Sequence, residues 1–258
     1  MATRECASAR AAKTTGDQIW TRQAKTYGWD TNATLSSSLK VALIRKYCHS
    51  DTRLCDIGCG NGLFARVFAR SCAAVTCIDL NSEMLAEGRA MVAREGIGNI
   101  SFVQASASKL PLADSSFDLV YCFSTLLLIP NIGAALREMV RVLTTSGYLV
   151  LDVAGRNNLS ALYWRLWYRR RGHFGLCAFS YPSIRRELAE LGLEIVEAHA
   201  LGFCDQWKYI PGLHLLRGID QFFHATTEPE RNLDYRISNS AGFFRLANRW
   251  YIVARKAA

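Results

Sequence analysis

The 258-residue chain has no run of eighteen apolar residues, no CxxC pair and no paired His/Cys spacing. The first absence excludes a chain threaded through a bilayer as a helix. Its longest apolar stretch, LVYCFSTLLLIP, reads as a buried strand and the loop that follows it. The other two absences bear on the nine cysteines, which are scattered along the chain. They form neither a disulfide framework nor a zinc site. They read as reduced thiols of a cytoplasmic protein, and no metal is expected. The opening MATRECASARAAKTTGDQ lacks the apolar core of a secretory signal, so a mobile tail is expected there, with a cleaved organelle-targeting peptide as the alternative. There is no internal repeat and no low-complexity tract. Half of the residues are apolar, enough to bury the core of one large domain or of a domain with a cap.

Acidic residues are missing from one segment in particular. Residues 153–186 hold seven arginines (Arg156, Arg165, Arg169, Arg170, Arg171, Arg185 and Arg186) and no Asp or Glu. The net charge of +9 is therefore concentrated into a local positive field.

Residues 53–152 alternate between two periods. RLCDI, AAVTCIDL, NISFVQA, SFDLVYCFS and YLVLDVA read as strands. NGLFARVFARS, SEMLAEGRAMVAREG and GAALREMVRVLTTSG carry helical spacing, the second with Ser82 as N-cap and Gly96 near its stop, the third ending toward Gly147. Strands alternating with helices of this length imply right-handed crossovers and a mostly parallel sheet. After Ala154 the pattern changes. NNLSALYWRLWYRRRGHFG is an aromatic, arginine-rich insertion, SYPSIRRELAELG a helix and LEIVEAHALGF a strand. IPGLHLLRGIDQFFHATTEPE reads as an inserted amphipathic helix with a loop, and NRWYIVARKAA as a closing strand. Upstream, residues 17–48 are expected to form one or two helices over the carboxyl ends of the strands.

LCDIGCGNGLF, at residues 54–64, places three glycines in five residues between a strand and a helix. In an open parallel sheet that turn lies where ligands bind, beyond the carboxyl ends of the strands. Glycine there allows close backbone approach and conformations that a side chain forbids. Asp56 precedes Gly58 by two residues. A carboxylate in that place would repel a pyrophosphate but suits an ammonium, so an adenosyl amino acid fits better than a dinucleotide. Asp79 ends the second strand, where a carboxylate can accept from both hydroxyls of a ribose.

DIGCGNG and IDLNSEML resemble the first two motifs of the class I S-adenosylmethionine-dependent methyltransferases, in the branch of ubiquinone and menaquinone biosynthesis enzymes and small-molecule methyltransferases. LPLADSSFDLVYC and ALREMVRVLTTSGYLVLDV are similar to two further signatures of that family, in the same order. The resemblance covers residues 20–154 and fits the terminal strand WYIVARK. It implies a doubly wound, seven-stranded, mostly parallel sheet of Rossmann-like methyltransferase type, in the order 3-2-1-4-5-7-6, with helical lid insertions. Residues 1–48 are then an N-terminal tail and lid helices. Residues 49–258 are the methyltransferase domain, with cap insertions at about 156–182 and 204–240.

S-adenosylmethionine is the implied cofactor. The resemblance implies that Gly58, Cys59 and Gly60 pass under its methionine part with Asp56 near the ammonium. Asp79 would hold the ribose, with Leu80 and Met84 beside the adenine, and Ser106, Ala107 and Phe123 complete the site. Ser106 stands where relatives carry an Asp toward the adenine amino group, a weaker acceptor in that place. Relatives often carry a histidine after the fourth strand; STLLLIPN has none. His173, His214 and His224 remain candidate bases from the cap segments, although methyl transfer proceeds by alignment on a good leaving group and can dispense with a base. Trp20 and Trp29, with Tyr163 and Trp167 from the insertion, are expected to line the substrate pocket, and Tyr27 to contact the cofactor from the lid.

The expected function is in-line methyl transfer to O, N or C of a small, largely apolar molecule, a secondary metabolite or a quinone- or lipid-like acceptor. The alternatives are an RNA or protein methyltransferase, and a cofactor-binding relative with lost or non-methylating activity such as cyclisation. Arg169, Arg170 and Arg171 offer contact to an anionic substrate or to the surface of a membrane. Nucleic acid is disfavoured as a partner, because the basic charge is confined to one insertion and no RNA module is visible.

Overall fold

A computed structural model describes residues 21, 34–170, 177–204, 223 and 225–257, with the side chains of 164, 165 and 167–170 excepted. The strands are β1 (Arg53–Ile57), β2 (Ala74–Asp79), β3 (Ile100–Gln104), β4 (Phe117–Cys122), β5 (Leu143–Ala154), β6 (Leu193–Leu201) and β7 (Arg249–Lys256). They form one sheet in the order β3-β2-β1-β4-β5-β7-β6. All pairings are parallel except those of β7, which runs antiparallel to both β5 and β6. This is the expected order, with the first strand near the centre and the first turn at the reversal of strand order.

The helices are α1 (Leu35–Tyr47), α2 (Leu63–Phe68), α3 (Ser82–Arg94), α4 (Ile132–Val142), α5 (Leu159–Arg170), α6 (Tyr181–Glu190) and α7 (Leu233–Ser238). The period of two along the strands sorts side chains to two faces. Cys55, Val120, Leu149, Leu151 and Ile252 face Leu136 and Met139 of α4 and Ile184 and Leu188 of α6. Leu54, Leu119, Tyr121, Val150 and Tyr251 face Leu39 and Ile44 of α1 and Phe68 of α2. Asp56 and Asp152 have the parity of this second set.

Three expectations are corrected. The cap of α3 is Asn81, whose side chain accepts from the amide of Met84 at 2.9 Å. Ser82 is instead the first helical residue. Helix α4 stops at Val142, because Leu143 is already extended and pairs with Phe117. The β-branched Thr144 and Thr145 do not favour helix, and a register shift takes up the residues before Tyr148. Helix α1 does not stop over the strand ends, where its Lys40 meets Asp152, but runs on along the sheet face. Ser36 bonds the Tyr251 hydroxyl at 2.7 Å, and Tyr47 packs at a tilt against Tyr148 in the middle of β5 with ring centroids 4.4 Å apart. No helix among the described residues is long and apolar enough to cross a membrane.

Candidate functional site

Gly58, Gly60 and Gly62 all take positive φ (75°, 56° and 73°), the left-handed region that glycine enters without steric cost. Gly58 is also enclosed, since a Cβ there would lie 2.1 Å from Oγ1 of Thr125. The turn is tied to β2, where the amides of Gly58 and Cys59 donate to the carbonyl of Ile78 at 2.7 and 3.0 Å. The amide of Gly60 donates to the Asp79 carboxylate at 2.8 Å, and that of Asn81 to its other oxygen at 2.9 Å. Asp79 therefore fixes both the glycine turn and the entry to α3 while it remains partly exposed. Leu80 beside it is 52% exposed. Thr21, the described point of the N-terminal segment before residue 34, reaches this place and accepts from the Asn81 side chain at 2.9 Å.

Asp56 is buried at the end of β1 and accepts from the Tyr121 hydroxyl at 3.0 Å. Its pKa is pushed up to about 8. Burial is the main cause and the nearby Asp79 adds to it, while the Tyr121 hydrogen bond and Lys40 oppose it. Among the described residues no basic side chain forms an ion pair with it within 4 Å. A carboxylate buried in this way suits an incoming ammonium, which would supply the missing counter-charge.

A second charged cluster lies at the ends of β4 and β5. Asp152 accepts from Lys40 of α1 at 3.1 Å and from Arg249 of β7 at 2.8 Å. Ser124, at φ 56°, donates its amide to Asp152 at 2.5 Å. Its hydroxyl lies 3.0 Å from Lys40 and 3.2 Å from Arg249. Burial alone would raise the pKa of Asp152, but the two cations and the Ser124 amide hold it below the ordinary carboxylate value. Lys40 is pulled down, chiefly by burial, and its ammonium sits 5.2 Å from the centre of the Phe123 ring and 5.6 Å from that of Phe64. The sequence reading missed Lys40, Tyr121, Ser124, Asp152 and Arg249. One signal was available, because Asp152 ends an apolar strand as Asp56 and Asp79 do.

The structure brings Asp56, Gly58, Cys59, Gly60, Asp79, Leu80 and Phe123 to the carboxyl ends of β1, β2 and β4. Met84 is buried in the first turn of α3. Ala107 packs against the core. The Ser106 hydroxyl accepts from the Ser108 amide at 3.3 Å within its own turn. Tyr163 is on α5 and 44% exposed. Trp20, Tyr27, Trp29, Arg171, His173, His214 and His224 lie outside the described residues, as do the side chains of Trp167, Arg169 and Arg170. The two described histidines lie elsewhere: His49 is exposed before β1, and His199 bonds Glu197 and Tyr235 on the edge strand β6.

Residues 55–151 match the family described as Methyltransferase domain. The ubiquinone/menaquinone biosynthesis C-methyltransferase UbiE of Pseudomonas aeruginosa (strain PAO1) is 39% identical over 106 residues, 40% of this chain and 41% of that protein. The chain thus spans about two fifths of the length of the curated relatives it matches. Among solved structures, a putative methyltransferase from Bacillus halodurans superposes with a TM-score of 0.62 at 22% identity, over 86% of this chain and 100% of that one. The [4+2]-cyclase SpnF superposes with a TM-score of 0.61 at 20% identity, over 89% and 85%. The glycine turn and the first strands of the sheet coincide with the matched segment, so that residues 55–151 are similar to a methyltransferase domain, on a sheet whose strand order is that of the class I S-adenosylmethionine-dependent methyltransferases.

Proposed function

We propose that the chain is an S-adenosylmethionine-dependent methyltransferase acting on a small, largely apolar acceptor of quinone- or lipid-like chemistry. The observation that carries this reading is the glycine turn held between Asp56 and Asp79, with a buried carboxylate on one side and a partly exposed one on the other. Asp56 matches an ammonium and Asp79 a pair of ribose hydroxyls, while the exposed Leu80 offers an apolar edge for adenine. When bound, S-adenosylmethionine supplies an electrophilic methyl on a sulfonium leaving group. The protein's part is to bind, align and exclude water, with the Gly58–Gly62 backbone and Phe123 forming the floor. The described histidines take no part in it. The acceptor class is supported by the name of one set of curated relatives, ubiquinone/menaquinone biosynthesis C-methyltransferases.

The test is transfer of labelled methyl from S-adenosylmethionine into an extract separated into organic-soluble, RNA and protein fractions, with Gly60→Arg as control. A side chain at φ 56° is strained and intrudes on the turn. The expected result is label in the organic fraction that the control lowers about a hundredfold or more, the scale of losing the main binding contacts. Label in RNA or protein would move the acceptor to a macromolecule. Tight binding of S-adenosylmethionine without S-adenosylhomocysteine formation would point to a non-methylating relative.

A further inference from the structure

Eight large apolar side chains are exposed among the described residues, and six of them come from two elements: Leu159, Leu162, Tyr163 and Leu166 of α5, and Phe243 and Leu246 at the turn before β7. The α5 positions follow the i, i+3, i+4, i+7 spacing of one helix face. The two elements are fastened to each other. The Asn158 side chain donates to the carbonyl of Ala247 at 3.0 Å, the Ser160 hydroxyl lies 2.8 Å from the side-chain oxygen of Asn248, and the amide of Gly155 donates to the carbonyl of Asn248 at 2.8 Å. They stand beside the carboxyl ends of β5 and the start of β7, on the edge of the candidate site. Apolar side chains gathered in this way, and not scattered singly, mark a surface that meets something.

The stretches of sequence that supply them carry charge of one sign. Residues 153–186 contain no acid, and neither do residues 235–258. The two elements therefore come from the two longest acid-free stretches of the second half of the chain. Arg156 is exposed three residues before Leu159 and Arg245 is exposed next to Leu246 in the chain, and α5 itself carries Arg165, Arg169 and Arg170.

From this juxtaposition we infer that α5 and the 243–246 turn form a docking surface for an anionic lipid bilayer, with the leucines and Phe243 at the depth of the headgroups and the arginines against lipid phosphates. A helix with an apolar face set among arginines lies in the plane of such an interface. A second copy of the chain fits less well, since a two-fold contact would set one arginine-rich face against another. Nucleic acid meets the charge but leaves the leucines wet. The surface stands beside the site, so an apolar acceptor dissolved in the membrane reaches the protein from the side on which it docks. The inference does not rest on methyl transfer, and its readout is independent of it.

The experiment is co-flotation of the full chain with phosphatidylcholine vesicles, with and without phosphatidylglycerol. Binding to the anionic vesicles is expected, weakened by added salt. Leu162→Glu combined with Leu166→Glu should lower the partition coefficient about tenfold or more. Because both side chains are exposed, the thermal unfolding curve should not move. If this pair misfolds, Arg156→Glu combined with Arg245→Glu carries the test, with the same loss expected on anionic vesicles alone. Failure to float with anionic vesicles, equal binding to neutral ones, or binding indifferent to both pairs overturns the inference. Self-association in sedimentation velocity that the leucine pair abolishes, without vesicle binding, overturns it in favour of a second copy.

Discussion

Asp56 and Asp152 occupy corresponding places in the sheet and behave oppositely. Each lies near the carboxyl end of a parallel strand, with the parity of the α1 face, and they are 3% and 2% exposed. Asp152 has Lys40, Arg249 and the amide of Ser124 around it, and its pKa lies below the ordinary value. Asp56 has the hydroxyl of Tyr121, and its pKa rises to about 8. Depth is the same in both, so the neighbouring cations decide the charge. The half of the sheet at β4, β5 and β7 carries its own counter-ions and is finished as a structural clamp. The half at β1 and β2 leaves a buried carboxyl with a hydroxyl and no ion-paired cation beside it among the described residues.

The largest effect that would break this contrast is on the clamp. Asp152→Asn leaves Lys40 and Arg249 facing each other without their anion, and removal of one partner from a buried ion cluster costs about 3–5 kcal/mol. Denaturant unfolding at neutral pH should show that loss, and Lys40→Met added to Asp152→Asn should restore much of it by removing the stranded charge. A depressed folded-state pKa contributes stability that is present above the unfolded value, about 3.9, and is lost as pH falls through the folded value. The acid limb of the wild-type profile should therefore be shallower in the variant. A neutral effect of Asp152→Asn alone would show that the cluster is solvated.

The two halves also differ in how far the sequence disclosed them. The β1–β2 half was legible because its requirements are local. Glycine at three positive-φ positions and an acid at each strand end all fall within residues 56–79, so spacing and family resemblance carried them together. The clamp joins residues 40, 124, 152 and 249, brought together by the helix along the sheet face and by the antiparallel last strand. Lys40 reads as one polar residue in SSSLKVALI, and nothing in that stretch names its partner. The strand order was legible from alternating periods and resemblance. The cap of α3 and the end of α4 were misjudged by one and about five residues, since Asn81 and Ser82 are both good caps and the two threonines after Leu143 suit either a fraying helix or a strand.

The next effect concerns the other carboxylate and sharpens the contrast. A folded-state pKa raised to about 8 means that the unliganded protein loses stability as pH rises from about 3.9 toward 8. Asp56→Asn should remove that slope. An ammonium arriving beside Asp56 favours the charged form, so ligand binding near pH 7 should release close to one proton, an amount that follows from a free-state pKa of about 8. Titration calorimetry with S-adenosylmethionine in two buffers of different ionisation enthalpy reads that proton directly. In Asp56→Asn it should vanish, with affinity lower by about ten- to a hundredfold for a lost charge-assisted contact. Binding without proton release in the wild type would mean that Asp56 does not meet the ligand's cation.

The smallest effect separates the carboxylate from the group that holds it. Tyr121 donates to Asp56 and favours its ionised form, while its own ring packs between Phe68 and Phe123 with centroids 5.9 and 5.2 Å away. Tyr121→Phe keeps the ring and removes the hydroxyl, so the packing should survive and the Asp56 pKa should climb further. A shift of one unit is worth about 1.4 kcal/mol, which sets the loss of affinity near pH 7 at up to about tenfold. The two variants then part with pH. Raising the pH ionises Asp56 in Tyr121→Phe and should return its affinity to that of the wild type, whereas Asp56→Asn has no carboxylate to ionise and should stay weak. If Tyr121→Phe failed to recover at high pH, the hydroxyl would be contacting the ligand and not merely tuning Asp56, and the ligand would then meet a group of β4 as well as the one proposed on β1.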